Sequence, residues 1–135
     1  MIFLDTGAFH AMYVKNDKYH DSAIRIKREM AINKYGAAIT TNYILNETFT
    51  LLRSSVGIIQ SIKLGELIRN SKILHVIWID DVIEEKAWRI FSTYRDRTFS
   101  FTDCTSFVVM QDMTIQNAFT YDLHFSQMKF IVIGQ

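Results

Sequence analysis

The sequence predicts an α/β fold built on a mainly parallel sheet. Short apolar runs of strand length alternate along the chain with segments of helical period. Short apolar strands alternating with helices argue for a parallel sheet covered on both faces. The chain has 135 residues, of which 49% are hydrophobic, so a single domain over residues 1–135 can bury a sizeable core.

The elements follow in order. Met1 to Asp5 reads as a short buried strand that ends in a turn at Thr6-Gly7. Asp17 to Lys34 reads as a helix with a charged outer face (Arg25, Lys27, Arg28, Lys34), stopped at Tyr35-Gly36 with Gly36 as its C-terminal cap. Ala37 to Thr40 is a second strand. Thr41 or Asn42 caps a helix reaching about Ser55, and Gly57 separates it from another over Ile58 to Asn70. Ile73 to Ile79 is a strongly apolar strand. Asp81-Val82-Ile83-Glu84 matches a capping box and opens a helix to about Tyr94. Thr102 caps a helix over Asp103 to Ile115, and Asn117 to Thr120 and Lys129 to Ile133 are closing strands. The chain contains no proline, so its turns rely on Gly, Asn, Asp and Ser.

Bulk properties exclude several classes. The apolar runs are too short for a membrane span. The start of the chain lacks the basic segment and long apolar centre of a secretory signal. The single cysteine, Cys104, has no internal disulfide partner. These features lead to an expectation of a cytoplasmic protein without a membrane partner. Cys104 reads as a small core residue whose acidic neighbour discourages a thiolate. His10, His20, His75 and His124 show no zinc-like spacing with it. No phosphate-cradling glycine loop occurs. The net charge of +1 does not mark a nucleic-acid binder, although four acids committed to a metal would leave the rest of the chain at +5.

Four acidic residues stand in apolar surroundings: Asp5, Glu47, Asp103 and Asp122. A carboxylate removed from water is costly unless a cation or several hydrogen bonds compensate it. A shared Mg²⁺ or Mn²⁺ would compensate all four, and such ions serve phosphoryl chemistry. Asp5 and Asp122 follow strands, where parallel α/β sheets place ligands. Glu47 shares a helical face with Ile44, Thr48 and Leu51, a face expected to be buried. Asp103 shares one with Phe107 and Met110, while Asp112 lies on the opposite side. Each acid also has an ordinary reading. Asp5 suits a turn, Asp122 a short cap, Asp103 a helix dipole and Glu47 a buried ion pair. Tyr13 and Tyr121 are core residues by default and alternatively platforms for a base.

Four fragments carry a family resemblance. They are Ile2-Phe3-Leu4-Asp5-Thr6-Gly7-Ala8-Phe9, then Asn46-Glu47-Thr48, then Ser100-Phe101-Thr102-Asp103-Cys104-Thr105-Ser106-Phe107, then Thr120-Tyr121-Asp122-Leu123-His124-Phe125. Together, in this order and spacing, they resemble the PIN domain, most closely the ribonuclease toxins of the VapC type. The resemblance implies a three-layer α/β/α fold. It implies that Asp5, Glu47, Asp103 and Asp122 surround one or two Mg²⁺ or Mn²⁺ ions, with Thr6 or Thr102 supporting them through a hydroxyl. It implies an RNA substrate cut to 5′-phosphate and 3′-hydroxyl ends, a cognate antitoxin as partner and a homodimer. Two other readings keep the same acids: a Mg²⁺-dependent phosphatase or phospho-acceptor domain, and a non-catalytic module binding RNA or protein. The phosphatase requires a phosphate-binding lysine at a strand's carboxyl end, and Lys129 precedes its strand instead.

Overall fold

The structure, a computed structural model, describes residues 1–134. Five strands form one sheet: β1 (Ile2–Leu4), β2 (Ala38–Thr41), β3 (Leu74–Ile77), β4 (Asn117–Phe119) and β5 (Ile131–Val132). The order is β3-β2-β1-β4-β5 and every pairing is parallel. β1 is central and wholly buried, with Phe3 opposite Ile39 on one side and Ala118 on the other. This explains its uninterrupted apolar sequence: both edges and both faces are covered.

Six helices cover the sheet: α1 (Thr6–Tyr13), α2 (His20–Ala31), α3 (Asn42–Arg69), α4 (Asp81–Thr93), α5 (Phe101–Asp112) and α6 (His124–Gln127). The chain moves outward from β1 through β2 to β3, then crosses back to β4 and β5 on the other side. Right-handed crossovers therefore put α1–α3 on one face and α4–α6 on the other, giving three α/β/α layers. The reversal of direction lies between β1 and β4, and its crevice opens at their carboxyl ends. Asp5 and Asp122 follow those two strands.

Several boundaries differ from the sequence expectation. Thr6-Gly7 opens α1 instead of a turn, because Asp5 is its N-cap and Asp5 O accepts the Ala8 and Phe9 N–H groups. The next helix starts later and stops earlier, at Ala31. Asn33, with φ 59°, closes it: Lys34 N–H donates to Glu29 O and Asn33 N–H to Met30 O, a Schellman ending, so Gly36 belongs to the following connection. Gly57 breaks α3 as expected, with φ 80° and ψ 175°. Thr41 caps α3, its Oγ1 accepting from Ile44 N. Asp80 rather than Asp81 caps α4. Ser100, not Thr102, caps α5, which begins two residues earlier than expected and ends at Asp112.

Candidate metal centre

Each acid reaches the crevice by a different local route. Asp5 follows β1 and caps α1 through its backbone alone, which leaves its carboxylate free to face the crevice. The carboxylate is buried, and its Oδ2 accepts the Thr120 hydroxyl at 2.8 Å. Burial chiefly, and Asp103 and Asp122 as like charges, raise the Asp5 carboxyl to about 7, against the lowering effect of its hydrogen bonds.

Asp103 is held by a reciprocal capping box. Ser100 Oγ accepts from Asp103 N and Asp103 Oδ2 accepts from Ser100 N, each at 2.9 Å. Its carboxyl is also raised, first by burial, with the neighbouring Asp122 adding to it. Asp122 follows Thr120 in a tight turn, its N–H donating to Thr120 Oγ1 at 3.0 Å. One threonine hydroxyl thus links Asp5 and Asp122. Glu47 lies on α3 at the rim, where Thr6 Oγ1 donates to its Oε2 at 3.1 Å.

His124 joins these acids. Its Nδ1 lies 3.2 Å from both Asp103 Oδ2 and Asp122 Oδ2, and its Nε2 lies 3.0 Å from Thr98 Oγ1. Asp103, Asp122 and His124 can each offer one ligand atom within 4.8 Å of the others. Asp5 and Glu47 line the same cleft outside that closest set. The cleft has a volume of about 700 Å³, and Thr6, Gly7 and Tyr121 also line it. No lysine or arginine lines it, and among the described residues none pairs with any of the four carboxylates. Oxygen donors in excess, beside a single imidazole and without a compensating cation, suit a hard divalent ion. The donor set therefore fits Mg²⁺ or Mn²⁺.

The structure corrects two expectations about individual residues. Glu47 is exposed, because the buried line of α3 runs through Ile44, Thr48 and Leu52 and leaves Leu51 outside. Thr102 does not line the cleft; it sits in the first turn of α5, where its carbonyl accepts the Thr105 and Ser106 hydroxyls. Tyr121 packs against the core, as its default reading has it, and also lines the cleft. Its ring stacks on that of Tyr19, with centroids 4.1 Å apart. Tyr13 carries the Lys27 ammonium 4.8 Å from its ring centre. Other readings hold: Asp112 is exposed and paired with Lys86, and Cys104 is buried, its thiol pushed up to about 11 by burial and then by Asp103.

Sequence reasoning missed His124 and Thr120. Each stands two residues from Asp122, a spacing typical of side chains that bond the backbone of a turn. Indeed His124 N–H donates to Asp122 Oδ1 at 2.9 Å. Its spacing from Cys104 signals no site, and its proximity to Asp103 arises only in the fold.

The PIN domain model matches residues 2–131. The chain belongs to the PIN domain family. This PIN domain is 34% identical over 133 residues to the 23S rRNA-specific endonuclease VapC20 of Mycobacterium tuberculosis, covering 98% of each chain. It is 33% identical over 124 residues to a VapC ribonuclease of Archaeoglobus fulgidus, covering 91% of this chain and 78% of that one. The crystal structure of M. tuberculosis VapC20, titled a sarcin-ricin loop cleaving toxin, superimposes with a TM-score of 0.86 at 34% identity over 97% of both chains. Membership in this family carries an expectation of metal-dependent nuclease activity, and the acidic cluster suits it.

Proposed function

We propose that this PIN domain is a Mg²⁺- or Mn²⁺-dependent endoribonuclease and the toxin of a toxin–antitoxin pair. The observation that carries the reading is the cleft itself: four carboxylates converge at the topological switch point with one imidazole, His124, and no lysine or arginine lining it. When bound, a divalent ion supplies positive charge against a phosphodiester and acidifies water at the site. Asp103 and Asp122, braced by His124, are the residues that would hold it. Asp5 completes the negative charge from below, oriented by Thr120. Glu47, exposed and oriented by Thr6, is the carboxylate able to accept a proton from the attacking water. The kinship with a 23S rRNA endonuclease supports structured ribosomal RNA as the first substrate class to try. The outer face of α3 exposes Ile58, Ile59 and Ile62, surface suited to an antitoxin or a second copy. A cytoplasmic location follows from this reading. The phosphatase reading loses its basic group, since Lys129 is exposed in the turn between α6 and β5 and outside the cleft.

The test incubates purified protein with 23S rRNA and with a mixed RNA pool, in Mn²⁺, Mg²⁺ or EDTA. An Asp103→Asn protein is purified in parallel. Cleavage is expected only with metal, and a loss of about 100-fold or more in the variant. Equal cleavage by the variant would assign the activity to a contaminant. Tight RNA binding without cleavage in any metal would favour the non-catalytic module.

A further inference from the structure

Outside the acidic cleft, a second polar cluster joins three elements. His10 on α1 has Nδ1 2.5 Å from Asp17 Oδ2 and Nε2 2.9 Å from Ser55 Oγ. Asp17 belongs to the α1–α2 connection and Ser55 to α3. The order of acid, imidazole and hydroxyl is that of a nucleophilic triad. The serine proton argues against that use: Ser55 Oγ donates to Leu51 O at 2.8 Å within its own helix. The Asp17 carboxylate can only accept, so Nδ1 carries the ring proton, and the Ser55 hydroxyl divides between Leu51 O and Nε2 as a structural tie. The cluster is a brace.

The braced parts are walls of the cleft. Residues four apart on a helix share a side, so His10 stands one turn beyond Thr6 on α1. Thr6 donates to Glu47, and His10 meets Ser55 further along the same α3. The contact between α1 and α3 thus carries two side-chain ties, one within the cleft and one behind it. The second oxygen of Asp17 accepts Tyr19 N–H at 2.8 Å. The Tyr19 ring stacks on Tyr121, which lines the cleft. One histidine therefore ties both the helix bearing Glu47 and the loop bearing Tyr19 to α1.

We propose that His10 is a positioning residue for the acidic cleft: the Asp17–His10–Ser55 relay sets the distance of Glu47 and of the Tyr19–Tyr121 wall from α1. The kinetic part of this inference rests on the nuclease reading, and its metal-binding part does not.

The experiment compares wild type with His10→Leu, which removes both ties, and His10→Gln, whose amide can reach both partners. Mn²⁺ affinity is measured by calorimetry, kcat and KM on one defined RNA, and folding by thermal melting. His10→Leu is expected to lose roughly tenfold in kcat with KM nearly unchanged, because misplaced groups cost rate more than binding. Its Mn²⁺ affinity should fall by roughly threefold, and His10→Gln should recover most of both losses. A folded His10→Leu with wild-type kcat and Mn²⁺ affinity would overturn the proposal, as would a Gln variant no better than Leu. If His10→Leu does not fold, Ser55→Ala cuts only the tie to α3 at an exposed position; a smaller kcat loss supports the relay, and none refutes it. Wild type that binds Mn²⁺ without cutting RNA would sink the nuclease reading alone, leaving the affinity series to decide the brace. Wild type that does neither would sink both.

Discussion

Asp5 concentrates the chemistry of the cleft at the scale of one residue. Its carboxyl is buried beside two other acids and raised to about 7. In the unfolded chain the same group ionises near its ordinary value of 3.8. Between these values the folded state keeps a proton that the unfolded state has released, so stability falls as pH rises through that window and levels off above it. By this linkage the penalty in metal-free protein is on the order of a few kcal/mol at pH 8. Asp5→Asn removes the charge and keeps an oxygen for Thr120. In EDTA the substitution is expected to raise Tm clearly at pH 8 and little at pH 4.5. A gain equal at both values, measured by thermal melting, would mean that the charge is not what costs stability. The same substitution should abolish RNA cleavage, so stability and activity should move in opposite directions.

At the scale of elements, helix endings set where the acids point. Three non-glycine residues take positive φ: Asn33 at 59°, Thr114 at 55° and Lys129 at 65°. Each follows a helix and closes it, with Ile115 N–H donating to Met110 O after α5 and Phe130 N–H to Phe125 O after α6. Asparagine tolerates this conformation, whereas β-branched threonine does so at a cost. Thr114 is exposed, so its side chain contributes little packing to offset the strain. Thr114→Gly is expected to stabilise the fold by roughly 1 kcal/mol in urea unfolding, with no change in RNA cleavage. Destabilisation instead would show that the threonine side chain has a role in the connection to β4. The α5 boundary shows the same dependence on local chemistry. A threonine directly before an acid reads as a cap, yet Ser100 wins because its side chain and that of Asp103 satisfy each other's backbone donors. That reciprocal bond holds Asp103 toward the cleft.

At the scale of the whole molecule, the sheet gathers acids from four distant parts of the chain into one cleft of about 700 Å³. Carboxylates so placed repel one another without a cation. Millimolar Mn²⁺ or Mg²⁺ is therefore expected to raise Tm by several degrees at pH 8, because an ion that binds only the folded state stabilises it by mass action. The gain should shrink in Asp103→Asn. A melting curve unmoved by millimolar metal would count against a shared ion at this cleft.

Much of this was legible in the sequence for physical reasons that act locally. The apolar run at Ile2–Leu4 announced a strand covered on both faces, and β1 is buried throughout, whereas the longer run from Ile73 to Ile79 became β3, an edge strand left partly exposed. Glycine at position 57 announced a break that only its backbone freedom permits at φ 80°. Acids set in apolar segments announced an uncompensated charge, and all four line one cleft. What tertiary structure decided was the side of each helix that meets the core and the company each acid keeps. The burial of Glu47 was misread because periodicity reports that a face is apolar and cannot say how wide the covering is; α3 turns Leu52 inward and leaves Glu47 at the rim, within reach of Thr6. His124 gained its place from the turn after β4, which swings its ring between Asp103 and Asp122, a meeting of residues 21 positions apart in sequence. His10, Asp17 and Ser55 likewise meet only because α1 and α3 pack side by side. Burial pattern and turn chemistry are properties of neighbouring residues, whereas a site is a set of distances between distant ones, and packing of the layers alone determines those.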